Sequence, residues 1–482
     1  MFLVDNIIKL KVNLPRFPQN ILMGVILFCV SSCAYQEYEA EPLSTNQTIS
    51  NLISRDMNEP GFMKFMQENG VLQWPIEKWR FEELVLAAFY FNPQIQLEFA
   101  EFKLNEAQAL AFLQRENPQL IVPLEHHSDT SDGVSPWLIG VLFDFVFERQ
   151  AKRRAKQDRV DAEIQAALIE MSKSVWDLRS ELKQAWLKYT AASSLNNFIK
   201  DELKLLEQSH MILQRQYELG QSSNFEVSNT RLELHRLRLE SSHHQAIISD
   251  DYYELLALVG LSPERMTSQM FSLTDGVVLP DNEEISQLSI QKMALYERHD
   301  IRQALFEYQA HEATLRLEIE RQYPDITLSP GFIFDQDDKI WALATSWVLP
   351  LFHHNEAQIN EALAKRHVLQ KQFQVLQSNL IHELAKMRHR FIARVSSLKQ
   401  SEELVNELKN REDIIQKQYD SGYIGELDLS RSKLETLRAR RALFETRVSV
   451  NKSLAQLEAL IQYPLQGEFD IAQIIKSLSL VE

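Results

Sequence analysis

Cysteine is nearly missing from this chain: of 482 residues only Cys29 and Cys33 are cysteines, and both lie at the N-terminal end. That excludes a disulfide framework and a cysteine metal site, so stability must come from packing and assembly. Glycine and proline are also scarce, at 12 and 15 residues, a composition that favours long uninterrupted helices. Basic excess is absent. The net charge of -16 lacks the positive footprint that phosphate binding needs, which argues against a nucleic-acid partner. No nucleophile elbow, phosphate loop or metal-binding helix motif occurs, so the chain is expected to be no enzyme, with no cofactor and no metal. Three His pairs, His126-His127, His243-His244 and His353-His354, do not change this. Adjacent side chains diverge by about 100° on a helix and point to opposite faces on a strand, which makes a poor chelate.

The first residues read as a targeting segment. Lys9, Lys11 and Arg16 precede an apolar run over residues 21–30, too short to span a bilayer and suited to a signal peptide. It ends in Val30, Ser31, Ser32 and Cys33, which resembles a bacterial lipobox. That resemblance implies a lipoprotein signal peptide over 1–32 and lipidation of Cys33; a plain signal peptide or a short anchor is the other reading. By the same resemblance, in which an Asp after the Cys often retains a lipoprotein in the inner membrane, Ala34 implies the outer membrane. Residues 33–81 are read as a polar, extended or partly ordered arm whose Trp74, Trp79 and Phe81 pack at its end, with organised structure beginning near Glu82.

Two stretches repeat. Tyr217, Gly220 and Glu226 recur with the same spacing as Tyr419, Gly422 and Asp428. A Gly after a long charged helical pattern reads as a helix C-terminus, because only Gly enters the left-handed region without a Cβ penalty. Each copy is therefore the tip of a helical hairpin, and the chain is internally duplicated. A first repeat over 82–280 and a second over 281–465 are expected, followed by a tail over 466–482. Asn92-Pro93-Gln94-Ile95 aligns with Arg298-His299-Asp300-Ile301, each opening a helix that is predicted to stop at Asn117-Pro118 and Tyr323-Pro324.

After each Pro the periodicity changes from helical to two. Ile326, Leu328, Pro330, Phe332 and Phe334 alternate with small or polar residues; after a polar turn over 335–339 so do Trp341, Leu343, Thr345, Trp347 and Leu349. The first half repeats this from Trp137 to Phe147, with Asp144 and Glu148 on the other face. Its partner over 120–127 is weakened by Pro123, which removes a ladder donor. A bulky face toward lipid and a small polar face toward a lumen is the barrel pattern. A soluble sandwich would also produce alternation; if these strands span a membrane, four cannot close a barrel and an open edge cannot face hydrocarbon, so several chains must share one.

The remaining length is helical. Residues 149–219 and 356–421 contain no interior Pro or Gly before the tip, and each spans about 100 Å. After the tips two heptad stripes run together: Phe225, Leu232, Leu239, Ala246 and Tyr253 beside Val227, Leu234, Ser241, Ile248 and Leu255. In the second half Leu427, Leu434, Arg441, Val448 and Ala455 run beside Leu429, Thr436, Leu443, Val450 and Leu457. Stripes on both flanks fit a helix in a wall, and equally a multi-helix bundle.

Taken together, the lipobox at Cys33, the duplicated helix starts, the strand ending in Leu349-Pro350-Leu351-Phe352 and both Tyr-x-x-Gly tips resemble the TolC-like outer-membrane efflux proteins. The resemblance covers about residues 82–464. It implies a mainly α fold with duplicated halves, four strands and long coiled helical hairpins per chain. Three copies would share a transmembrane β-barrel continued by a periplasmic α-barrel. It further implies an outer-membrane duct of a tripartite efflux or type I secretion system, lipid-anchored and extending into the periplasm. Its partners would be a periplasmic adaptor and an inner-membrane pump, and its cargo small molecules or protein. Tyr217, Gly220, Glu226, Tyr419, Gly422 and Asp428 become candidates for gating or adaptor docking, while the acids equally suit helix capping. A periplasmic coiled-coil scaffold without a pore is the alternative function. The chain departs from the family at His299, where many relatives have Pro. Phe145-Val146-Phe147 has no Pro like Pro350, and His353-His354-Asn355 stands in place of a Gly turn, with Asn355 able to supply the left-handed residue.

Overall fold

The computed structural model describes residues 38–129, 133–262, 266, 271, 286–465, 469 and 471–478. Cys33 and the segment before it lie outside them. Two compact units are present. The first contributes helix α1 (Thr45–Ser54), which is exposed on all sides.

The second unit begins at Arg55, and order starts earlier than Glu82. Helix α2 (Pro60–Glu68) has Pro at its first turn and buries Phe62, Phe65 and Met66 completely. These apolar positions follow the i, i+3, i+4 spacing of one helix face, so this part of the segment expected as an extended or partly ordered arm is a packed helix. It joins α3 (Phe81–Phe91), the middle of α5 (Gln150–Glu218), the end of α6 (Asn224–Val259) and α11 (Ile471–Leu478) in the largest core. Trp79, Leu84, Phe89, Trp186, Leu255 and Val259 lie at its centre. A second core joins α7 (Gln287–Glu297), the start of α8 (His299–Glu320), α9 (Glu356–Asp420) and the end of α10 (Glu426–Ile461).

The halves are related down to single atoms. Helix α4 (Pro93–Ala111) is capped by Asn92, whose carbonyl oxygen accepts from Gln94 N at 2.8 Å and whose amide donates to Leu258 O at 2.7 Å. In the second half Arg298 donates to the Leu460 carbonyl, and His299 N donates to Gln462 Oε1 at 2.6 Å. Gly260 and Gln462, each two residues beyond the accepted carbonyl, both take left-handed backbone, at φ 81° and 54°. His299, the departure from the expected Pro, is thus a buried residue that binds the second cap. Both helices stop short of the predicted prolines, α4 at Ala111 and α8 at Glu320. In the loop after α4, the Leu113 carbonyl is taken by Arg153 instead of a helical partner.

All strands form one antiparallel sheet. β1 (Gln119–Ile121) and β2 (Leu124–His126) both pair with β3 (Trp137–Phe147), which pairs with β4 (Ile326–Asp335), which pairs with β5 (Asp338–Trp347). The predicted strand over 120–127 is broken in two because Pro123 cannot donate to the ladder. The predicted polar turn shortens to Gln336 and Asp337, both at positive φ, the two-residue geometry that suits a twisted hairpin. β5 ends at Trp347, so Leu349 lies past the strand. Asn355 does take the left-handed position before α9, at φ 64°.

Register places the bulky residues on one face. Val141 faces Phe332 and Phe332 faces Trp341; Phe147 faces Ile326 and Ile326 faces Trp347. On the other face Glu125, Leu138, Asp335 and Asp338 form one row, and Asp144 faces Gln119. Among the described residues β1 and β5 each have one unpaired edge.

The helices form a wall in the order α6, α5, α10, α9. In α6 one predicted stripe is buried at Val227, Leu234 and Leu255, while the other is solvent-exposed at Phe225, Leu232, Leu239 and Tyr253. In α10 residues of both stripes are buried, among them Leu434 and Ala455 on one and Leu429, Val450 and Leu457 on the other. The difference is positional: α10 has a neighbour on each flank, and α6 ends the wall.

Gly260 tests the close approach of the two elements at this junction. A Cβ there would lie 2.6 Å from Phe91 O and 2.9 Å from Asn92 Cα, whereas at Gly422 a Cβ meets nothing within 4 Å. Gly422→Ala should therefore cost only the left-handed penalty, about 1–2 kcal/mol. Gly260→Ala should cost on the order of 3 kcal/mol or more. Denaturant unfolding of the two variants in detergent measures the difference.

Candidate functional site: the paired hairpin tips

Helix α5 ends at the first tip through a Schellman motif. Gly220, at φ 72°, donates to Tyr217 O at 2.9 Å and Gln221 N donates to Gln216 O at 2.7 Å. The second tip repeats it: Gly422, at φ 74°, donates to Tyr419 O at 2.9 Å and Tyr423 N to Gln418 O at 2.9 Å. The repeated Tyr thus supplies a carbonyl to the turn, while its ring is partly exposed at Tyr217 and Tyr419.

The two acids differ. Glu226 closes a capping box with Ser223: Glu226 N donates to Ser223 Oγ at 3.2 Å, and Ser223 N donates to Glu226 Oε2 at 3.3 Å. Ser222 Oγ adds a third bond at 2.8 Å. The Ser222 hydroxyl first, and the Ser223 amide next, hold the Glu226 carboxyl below its usual range. In the second tip the cap is Gly425, which has no side chain to close a box. Asp428 lies in the first turn of α10 and makes no side-chain hydrogen bond among the described residues. Helix capping therefore accounts for Glu226, and Asp428 is left with only the favourable dipole of the helix start.

Sequence reasoning missed how the tips are joined. Glu226, Glu233 and Glu240 recur every seven residues along α6. They meet Arg431, Arg438 and Arg441 on α10. Arg431 Nη2 lies 3.8 Å from Glu226, and Arg438 and Arg441 form short ion pairs with Glu233 and Glu240. Arg441 also reaches Glu445 at 3.3 Å and Glu202 of α5 at 3.6 Å. Below them the Ser209 and Ser430 hydroxyls meet at 2.7 Å in a buried contact. The upper rungs line a cleft of about 410 Å³. The visible signal was Arg441, a charge inside an otherwise apolar heptad stripe. Burial raises the Glu202 carboxyl against the opposing pull of Arg441 and Arg438. The Arg441 guanidinium is raised, because the hydrogen bond and charge of Glu240, with Glu202 and Glu445, outweigh burial.

With this geometry established, known structures give the architecture. The chain aligns with the outer-membrane channel OprN over 90% of this chain and 99% of that one, at 16% identity and a TM-score of 0.62. CusC, described in terms of folding and transmembrane channel formation, aligns over 89% and 99% at 14% identity and a TM-score of 0.62. The outer membrane protein VceC from Vibrio cholerae aligns over 85% and 100% at 18% identity and a TM-score of 0.61. This is the TolC-like fold. Helical hairpins with a small sheet share, read above from periodicity, are its architecture. No protein-family model matches the chain, and no curated protein matches it in sequence.

The Arg441 cluster makes a specific prediction for the TolC-like wall. Arg441→Gln leaves the Glu202 carboxylate buried without its counter-charge, at a cost on the order of 3 kcal/mol. Adding Glu202→Gln should restore most of that loss. Thermal unfolding of the single and double variants measures the coupling; additive effects would show that the pair acts independently. For Glu226 the folded carboxyl is depressed, so its contribution is present above the ordinary glutamate range near about 4.3 and is lost as pH falls through the lower folded value. Amide protection at the start of α6, taken relative to intrinsic exchange at each pH, should fall there in wild type and stay flat in Glu226→Gln.

Proposed function

We propose that this chain is one protomer of a passive outer-membrane export duct. The observation that carries the reading is the sheet. Its bulky face is exposed through Phe145, Phe147, Trp341, Leu343 and Trp347, its opposite face carries Glu125, Asp144, Asp335 and Asp338, and both its edges are open. A lipid-facing sheet with open edges strands backbone donors and acceptors in hydrocarbon at several kcal/mol each. Pairing β5 of one copy with β1 of the next removes both edges. Three copies, the number implied by the family resemblance, make a closed barrel. No helix among the described residues is long and apolar enough to cross a membrane.

The helical wall supports the same assembly. Its end helices present unpartnered apolar residues: Phe225, Leu232 and Leu239 on α6, and Val368, Val375, Ile392 and Leu404 on α9. Apposing α6 of one copy with α9 of its neighbour buries both and continues the barrel as a helical tunnel. Energy comes from an inner-membrane pump reached through a periplasmic adaptor, and the six tips of a trimer form the end where they meet. Cys33 is the lipid attachment point, and the acids on the inner sheet face bias the lumen toward cations. Small molecules or protein pass outward from the periplasm.

Purified protein should run as a heat-sensitive trimer and conduct in planar bilayers; a non-conducting monomer would sink the duct. Leu232→Asp with Leu239→Asp should dissociate the trimer. At the tips, Asp428→Ala should raise closed-channel conductance more than Glu226→Ala, because Glu226 is engaged in its capping box. Equal conductance in both variants and wild type would remove the gating role.

A further inference from the structure

On the face opposite the bulky one the hairpin rim is acidic, while the rim nearest the helices is rich in basic residues. At the hairpin rim Glu125, Asp335 and Asp338 share a cross-strand row, with Asp337 in the turn between β4 and β5. At the rim nearest the helices, five basic residues fall within eight positions: Arg149, Lys152, Arg153, Arg154 and Lys156. They begin two residues after the last apolar row, Phe147–Ile326–Trp347, whose members are 53%, 49% and 54% exposed. In a chain of net charge -16, a basic cluster at the edge of an apolar band is against the average.

Three of the five are satisfied internally. Lys152 lies 2.5 Å from Asp325, and Lys156 and Arg153 pair with Glu148. Arg149 and Arg154 differ. The Arg149 guanidinium stacks 4.1 Å above the ring of Tyr323, which is itself exposed, and touches Glu320 at 3.3 Å with its side chain still half exposed. Arg154 is exposed and has no side-chain partner among the described residues. An aromatic ring with a cation over it, at the end of an apolar band, matches the boundary between acyl chains and headgroups. A guanidinium fork presents paired donors to phosphate oxygens.

We propose that this rim is a docking surface for anionic phospholipid headgroups, with Arg149 on Tyr323 and Arg154 as the contacts. The inference rests on the channel reading, because it needs the apolar band in a bilayer. It assigns the anionic headgroups to the leaflet nearest the helices, where Arg149 and Arg154 follow the last apolar row of the sheet.

Full-length protein reconstituted in mixed phosphatidylglycerol and phosphatidylcholine nanodiscs, followed by native mass spectrometry of retained lipid, tests it. Wild type should retain phosphatidylglycerol over phosphatidylcholine, and the preference should shrink as salt rises. R149Q/R154Q should lower it about 25-fold, at roughly fivefold per charge. R149K/R154K should keep only part of it, because an ammonium lacks the paired donors and the ring stacking of a guanidinium, and R411Q, far along α9, should keep all of it. No preference in wild type, or the same preference in R149Q/R154Q, overturns the proposal. Protein that enters bilayers and conducts without lipid preference sinks this inference alone; protein that enters bilayers of neither composition sinks the channel reading with it.

Discussion

The open edges of the sheet are the constraint on which the rest depends. A sheet with one bulky face and, among the described residues, two unpaired edges is not a finished structure in lipid. There its edge backbone needs partners, and in the proposed duct a second copy supplies the matching edge. The helical wall obeys the same logic with apolar stripes in place of hydrogen bonds. Its inner helices α5 and α10 are covered on both flanks, and its end helices α6 and α9 are not. Sheet and wall therefore run out of partners at corresponding ends of the chain, as a segment of a closed ring must.

Within the protomer the bonding is of another kind. The two hairpins are tied by Glu226, Glu233 and Glu240 to Arg431, Arg438 and Arg441, across a floor of apolar residues from α5. Ion pairs of this sort contribute modestly to stability where exposed, but the arginines are spaced by seven and then by three residues, so Arg441 meets both Glu240 and Glu202 in one axial register. The apolar contacts Leu206, Leu234 and Leu434 would tolerate a slip of one heptad; the charges would then leave Glu202 without Arg441. The ladder sets alignment, and the leucines supply cohesion.

Much of the fold was readable from period alone. Helices of 69 and 65 residues, α5 and α9, appear where Gly and Pro are missing, and the face assignment of β3, β4 and β5 follows from alternation. The tips were readable because a Schellman turn requires a residue without Cβ strain, and Gly220 and Gly422 mark it. Ends were harder. α4 and α8 stop before their prolines and β5 before Leu349; after α4 a tertiary bond from Arg153 takes the Leu113 carbonyl in place of a helical partner. Helix α2 was missed although Phe62, Phe65 and Met66 carry its spacing, since one short amphipathic turn inside a polar stretch is a weak signal. The unequal roles of Glu226 and Asp428 were invisible, because they depend on Ser223 against Gly425 at the cap. The ladder needed partners about 200 residues apart.

Helix α5 begins at the edge of the sheet and ends at the first tip about 100 Å away. A rod of that length converts angle into distance: one degree of tilt at its start moves the tip by about 1.7 Å on the same rise per residue. The bonds that hold the start, Lys152 to Asp325, Lys156 to Glu148 and Arg149 to Glu320, therefore act as the mounting of a long pointer. Small adjustments in that mounting are read out, magnified, at the opposite end of the molecule.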